Sequence, residues 1–229
     1  MTDYARYAIY YTPPPGALAD FGARWLGWDA ARGRARAHFD LPALPRPVAD
    51  LTAAPRKYGF HGTLKPPFRL APGQSRATLD TALEDLAARL APVTLAGLRL
   101  ARLGGFLALV PEGEAAALAA LAAEVVARLD AFRAPPTRDE LQRRRAAGLS
   151  PAQEANLLRW GYPYVMEEFR FHLTLTGALP PEAAEATRAA LAPVLAPLQP
   201  RPFVLDALSL CGEDGAGRFH LLHRVPLSG

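Results

Sequence analysis

A chain of 229 residues, half of them apolar and 21% charged, is long enough to bury a substantial core without a disulfide or metal staple. Its formal charge of +4 is too small and too scattered to mark a nucleic-acid binder by itself, and no run of about 18 apolar residues occurs that would span a bilayer. The single cysteine, Cys211, has no partner within the chain, which removes intramolecular disulfides and points to a reducing, cytoplasmic setting.

The opening MTDYARYAIYYTPPPG lacks a basic stretch followed by an apolar one, so a soluble, unprocessed chain is expected. Within it, RYAIYY at Arg6 to Tyr11 is aromatic and β-branched and is stopped by Pro13, Pro14 and Pro15, as a strand would be. A short helix is expected around Leu18 to Trp28. The proline-rich stretch that follows reads as loop, with His38 solvated among arginines.

Further on, one pattern occurs twice. FHGTL at Phe60 leads through a helical run (Ser75 to Leu90) into the strand-like VTLAGLRLARL and GFLALVP. FHLTL at Phe171 leads through a second helical run (Pro181 to Leu195) into FVLDALSL and RFHLLHRVP. His61 and His172 are 111 residues apart, and both copies close on Val-Pro. The fold class that follows is α+β: two pseudo-symmetric lobes of antiparallel sheet plus helices around a central cleft. The expected divisions are residues 1–111 for the first lobe, 112–168 for a helical insertion and 169–229 for the second lobe.

In the insertion, Leu118, Leu121, Val125 and Leu129 recur at helical spacing, predicting an amphipathic helix over Glu114 to Phe132. TRDE at Thr137 and SPAQ at Ser150 match capping boxes, so two more helices should end near Ala147 and Trp160. The basic run Arg143 to Arg145 reads as a solvated helix face rather than an RNA-binding stripe. Such an insertion would either cap a cleft or thicken the core.

Strand alternation decides which side chains share a face. In the second copy Phe169, Phe171, Leu173 and Leu175 form an apolar side, which leaves Arg170, His172, Thr174 and Thr176 opposite. In the first copy Tyr58, Phe60 and Leu64 take the apolar side, and Lys57, His61, Thr63 and Lys65 share the other. Of the 26 basic residues only Lys57 and Lys65 are lysine. Lysine is a compact point charge where arginine is a planar fork, so two lysines beside a histidine fit a site for a small anion; their bland role would be to keep a strand edge soluble.

Two imidazoles on facing walls supply an acid and a base, because the unperturbed group titrates near pH 6.5, roughly. In-line displacement at phosphorus asks for that pair: one imidazole takes the proton of the attacking oxygen, and the other protonates the departing one. Thr63, Thr174, Lys65, Lys57 and Arg170 are the candidate donors to the phosphoryl oxygens, and the chemistry calls for no metal and no cofactor.

FHGTL and FHLTL, each a hydrophobic-His-x-Thr-hydrophobic strand in a duplicated chain, resemble the paired signature of the two-histidine (2H) phosphoesterase superfamily, with its RNA ligase-like and cyclic phosphodiesterase members. The flanks KYGFHGTLKPPF and RWGYPYVMEEFRFHLTLTG are similar to a bacterial branch linked to phosphonate metabolism. The resemblance implies a bilobal fold, a metal-free cleft with His61 and His172 as acid and base, and a 2′,3′-cyclic, 1,2-cyclic or 2′-5′ phosphodiester as substrate. The expected partner is a small phosphorylated sugar or nucleotide. RNA-end processing in the same cleft and non-catalytic phosphate binding are the alternatives.

His220 and His223 are expected on opposite faces of one strand and Cys211 in another, which disfavours a zinc site. The glycines of GEDGAG lie between two strands and read as a turn. Tyr162 is read as a core or turn residue, Tyr164 as either that or a stacking platform, and Tyr58 as core.

Overall fold

The computed structural model describes residues 4–229, and the part of the N-terminal reading that rests on residues 1–3 lies outside them. The chain opens with strand β1 (Arg6–Tyr11), helix α1 (Ala17–Leu26), the short ribbon β2 (Trp28–Asp29) and β3 (Arg34–Ala35), and two single-turn helices, α2 (Val48–Leu51) and α3 (Ala53–Arg56). The first motif enters β4 (Gly62–Phe68), followed by α4 (Arg76–Ala87), β5 (Val93–Leu95) and the hairpin β6 (Leu98–Leu103) and β7 (Phe106–Pro111). The insertion holds α5 (Ala116–Arg128), α6 (Arg138–Arg145) and α7 (Pro151–Trp160). The second motif enters β8 (Leu173–Thr174), followed by α8 (Pro181–Leu195), β9 (Phe203–Leu205) and the hairpin β10 (Ala207–Glu213) and β11 (Phe219–Pro226).

Seven strands form one sheet in the order β11-β10-β1-β4-β8-β7-β6, antiparallel throughout. The duplication is visible in its pairing. The two motif strands pair with each other through Gly62 and Leu173, and β5 pairs antiparallel with β9 in a separate ribbon, Thr94 opposite Val204. Equivalent segments of the two copies thus meet twice, as an approximate two-fold relation requires.

The halves of the sheet are not the contiguous segments expected. The hairpin that follows the first motif, β6–β7, lies beside β8, and the hairpin that follows the second, β10–β11, lies beside β1. A boundary at residue 111 therefore cuts across the sheet. The cause is the path between motif and hairpin: α4 packs on β10 and β11 while α8 packs on β6 and β7. Each copy's helix so carries the chain past the β5–β9 ribbon, and its hairpin lands on the other copy's side.

The larger core lies between helices and sheet and includes Ile9, Leu64, Leu109, Phe171 and Leu173. A smaller cluster of Ala8, Tyr10, Cys211 and Phe219 forms apart from it. Both expected capping boxes are present, Thr137 with Glu140 on α6 and Ser150 with Gln153 on α7. The insertion does both jobs considered for it: α5 buries Leu118, Leu121 and Val125 in the core, while α6 and the segment after α7 reach the cavities described below. His38 is half-buried rather than solvated. Its Nδ1 lies 3.0 Å from the carbonyl of Trp25, at the C-terminal end of α1.

Candidate active site

Because β4 and β8 pair antiparallel through Gly62 and Leu173, the flanking residues fall opposite one another: His61 across from Thr174, and Thr63 across from His172. Alternation puts all four on one face. His61 and His172 are then diagonal neighbours, with Cβ atoms roughly 7–8 Å apart by ordinary sheet spacing. The seat of the Phe171 ring beside this pair rests on a glycine, because a Cβ on Gly62 would stand 2.4 Å from that ring.

Both imidazoles are oriented in the same way. Nδ1 of His61 lies 2.9 Å from the carbonyl of Gly59, and Nδ1 of His172 lies 2.7 Å from that of Arg170, each two residues back. A carbonyl only accepts, so Nδ1 carries the proton in each ring, and Nε2 is the atom left for chemistry. Gly59 reaches its position with φ +73° and with no room for a Cβ beside Ala30.

The surroundings differ. His61 stacks on Tyr10 with centroids 3.8 Å apart, and its Nε2 accepts from the Thr63 hydroxyl at 3.2 Å. Burial pushes His61 down to about 4, the Gly59 carbonyl acting against it and the charge of His172 adding to it. Burial also lowers His172, with the Arg170 carbonyl opposing. The second ring rests 5.5 Å from Phe106.

A cavity of about 340 Å³ lies over the first motif, lined by Tyr10, His61, Thr63, Thr174, Arg6 and Arg144 among others. A larger one, about 700 Å³, holds His172, Arg170 and Tyr164. Thr63, Pro66, Phe106 and Tyr162 line both, so the two cavities adjoin, with His61 in the first and His172 in the second. Among the described residues no carboxylate lines the first cavity, and no group of three or more His, Cys, Asp or Glu is placed to hold a metal. His220 instead contacts Asp214 at 2.7 Å.

Lys65 does not belong to this face. The β1–β4 register slips by one residue, with Thr63 opposite Tyr10 but Lys65 opposite Ile9. The bulge turns Lys65 into the core, where it is 1% exposed and donates to the Val126 carbonyl at 3.0 Å and to Asp130 at 3.3 Å. Lys57 follows the end of α3 and lies exposed in a neighbouring basin, its Nζ 4.9 Å from the ring of Tyr58. Arg170 is exposed in the cavity of His172. The Thr176 hydroxyl is occupied, accepting from Leu107 N and donating to the Gly177 carbonyl.

Tyr162, read from the sequence as a core or turn residue, lines both cavities with the Arg144 guanidinium 4.5 Å from its ring centroid, and Tyr58 lines the first. Arg6 and Tyr10 line the first cavity as well, beyond the residues that the motifs single out. Alternation along RYAIYY already puts them on one face, and that was the available signal.

The profile of a family described as "Protein of unknown function (DUF1045)" matches residues 63–220. The chain belongs to this family. A relative of the DUF1045 chain, the ribose 1,5-bisphosphate phosphokinase PhnN of Janthinobacterium sp. (strain Marseille), is 38% identical over 231 residues, taking in 98% of this chain and 51% of that protein. The chain spans about half the length of the curated relatives it matches. Among solved structures, one described as a phosphoesterase is 17% identical with TM-score 0.44, covering 99% of this DUF1045 chain and 100% of that one. E. coli LigT complexed with 3'-AMP is 16% identical with TM-score 0.41, covering 99% and 100%.

Proposed function

We propose that the protein is a metal-independent phosphodiesterase that opens a small cyclic phosphodiester, a 2′,3′-cyclic nucleotide or a cyclic sugar phosphate, with His61 as general base and His172 as general acid. The observation that carries this is the Gly62–Leu173 pairing, which sets two His-x-Thr motifs head to tail on one sheet face. Water gives its proton to Nε2 of His61 as its oxygen bonds to phosphorus. The bond from phosphorus to the ring oxygen breaks, and that oxygen takes the proton from Nε2 of His172, leaving a phosphomonoester. Exchange of one proton with solvent at each ring restores the resting state.

The roles follow from the surroundings. His61, held near 4, is neutral at physiological pH and ready to accept, whereas His172 is the acid because substrate negative charge beside it favours its protonated form. With substrate in place the Thr63 hydroxyl, which donates to Nε2 of His61 in the free protein, turns with that of Thr174 to donate to the non-bridging oxygens and leaves Nε2 to the attacking water. Donor chemistry is the ground for doing without a metal: the cavity around His61 is lined by hydroxyls and arginines, and that around His172, among the described residues, by one carboxylate, Glu168, which already accepts from Gln153, whereas a hard divalent cation wants several oxygen ligands.

We infer that the kinase activity in the name of the longer relatives belongs to the half of them that this chain does not match. A phosphate loop of the Walker type needs Gly-Lys-Ser/Thr, and the two lysines here follow Arg56 and Leu64.

The test is turnover of 2′,3′-cyclic nucleotides, 1,2-cyclic sugar phosphates and 2′-5′ dinucleotides in EDTA, by wild type, His61→Ala and His172→Ala. Hydrolysis that survives EDTA and falls about 10²–10⁴-fold in each variant is expected. Activity abolished by EDTA, or undiminished in either variant, would sink the mechanism.

A further inference from the structure

Beside the catalytic cavity lies a second basin of about 340 Å³, and Arg6, Tyr58, Pro67 and Arg144 line both. Its charged lining is lopsided: among the described residues the cations Arg6, Lys57, Arg69, Arg133, Arg143 and Arg144 face one carboxylate, Glu140. Three of the six are already neutralised. Arg6 holds Glu213 through two bonds, Arg69 holds Glu140, and Arg133 holds Asp130. Among the described residues no carboxylate is recorded in ion-pair range of Lys57, Arg143 or Arg144.

The ordinary explanation for Arg143 and Arg144 is that cations suit the last turn of α6, where carbonyls are exposed. That does not account for Lys57, which arrives from the end of α3 and turns to the same concavity. Nor does it account for Arg144, which is exposed but whose guanidinium lies over the Tyr162 ring, 4.5 Å from its centroid; such a contact restrains the planar fork in advance and lowers the entropy lost on binding. Arg145, the third of the run, is tied to Glu154. Like charges gathered in one basin repel, and an anion seated among them relieves that repulsion.

We infer that this basin is a second anion subsite, formed by Lys57, Arg143 and Arg144, and that the substrate is a phosphodiester bearing a separate phosphate monoester which seats there. The inference rests on the phosphodiesterase reading for what sits beside His61, but the subsite itself is a statement about binding. A phosphate monoester is the class that fits: a compact dianion with three acceptor oxygens, matched by the guanidinium donors of Arg143 and Arg144 and the point charge of Lys57.

The test measures binding and turnover separately. Isothermal titration with ribose 5-phosphate and with ribose is run on wild type, Lys57→Ala/Arg143→Ala, His61→Ala/His172→Ala, and the control Arg188→Ala on α8. Ribose 5-phosphate should bind wild type, the histidine variant and the control alike, and the Lys57/Arg143 variant about tenfold or more weakly. In turnover, a 2′,3′-cyclic nucleotide carrying a 5′-phosphate should be preferred to its unphosphorylated counterpart by about tenfold in kcat/KM, and that ratio should collapse towards one in the Lys57/Arg143 variant. Ribose binding as tightly as ribose 5-phosphate, or equal affinity in wild type and the Lys57/Arg143 variant, would overturn the subsite. So would displacement of ribose 5-phosphate by a short single-stranded RNA that binds more tightly and with a steep salt dependence, since the basin would then be a nucleic-acid track. If ribose 5-phosphate binds through Lys57 and Arg143 but no cyclic diester is turned over, the subsite stands and the reaction assigned to the histidines falls.

Discussion

Gly62 and Leu173 face each other across the junction of β4 and β8, and through that one pair the two copies of the duplicated sequence present their histidines to the same side. The contact is tight: the ring of Phe171 occupies the space where a Cβ on Gly62 would go. Gly62→Ala should displace the Phe171 ring and, through it, the strand that carries His172, spoiling the relation between His61 and His172 while the helix-backed core holds. The expected cost is about 1–3 kcal/mol of stability, typical of overpacking, with a disproportionate loss of at least about tenfold in kcat, since misplacing reacting groups by an ångström is expensive. Chemical denaturation and steady-state kinetics on the same preparation measure both. Full activity in Gly62→Ala would show that catalysis does not depend on this pairing.

The pH dependence follows from the two imidazoles. With His61 lowered to about 4, the base gains its proton, and activity is lost, only as pH drops towards that value. His172 is also lowered from 6.5, so in the free enzyme the acid loses its proton, and activity declines, as pH rises through a value below 6.5. A bell in kcat/KM centred on the acid side of neutrality is expected, and His172→Ala should lose the alkaline limb. A profile flat from pH 5 to 8 would remove His172 from the role of acid.

Lys65, turned inward by the bulge in β4, should matter to stability rather than turnover. Burial pushes its ammonium down to about 8 from 10.5, against the pull of Asp130. Between those values the unfolded chain binds the proton and the folded one does not, so stability due to this residue rises with pH across that window and is lost as pH falls towards 8. Urea unfolding of wild type and Lys65→Met at several pH values from 7 to 10 should show the difference between them moving in favour of wild type as pH increases. Turnover of Lys65→Met should stay within about threefold of wild type, the scale of a remote change; a loss of a hundredfold would return Lys65 to the cleft.

The motif strands were legible in the sequence because alternation is a local property: Phe171 and Leu173 are buried and His172 and Thr174 are half-buried, as the pattern required. The insertion helices were legible because Thr137 and Ser150 carry their caps within three residues. Lys65 was misplaced because a bulge changes the face of every later residue without altering composition, and the consecutive prolines Pro66 and Pro67 just beyond it, incompatible with an unbroken ladder, were the sign of irregularity. The exchange of hairpins between halves was hidden for a different reason. Which strand a hairpin pairs with is decided by how α4 and α8 cross the sheet, and no local pattern encodes that. Arg143 to Arg145 are exposed, as the solvated helix face required; the contact of Arg144 with Tyr162 was not legible because the two lie 18 residues apart in the chain.

Tyr162 now carries a prediction of its own. It walls both cavities and supports Arg144, and burial raises its phenol, so it stays neutral across the working range. A neutral ring between two cavities acts by surface contact with whatever sugar or base the substrate presents, not by proton transfer. Tyr162→Phe should therefore behave as wild type. Tyr162→Ala should raise KM about tenfold, in the range of about 1–3 kcal/mol for one lost stacking surface, with kcat changed little. A fall in kcat at constant KM, or an equal loss in Tyr162→Phe, would mean instead that the hydroxyl reaches the reacting phosphoryl group, and the ring would have to be moved from the wall of the cleft to its chemistry.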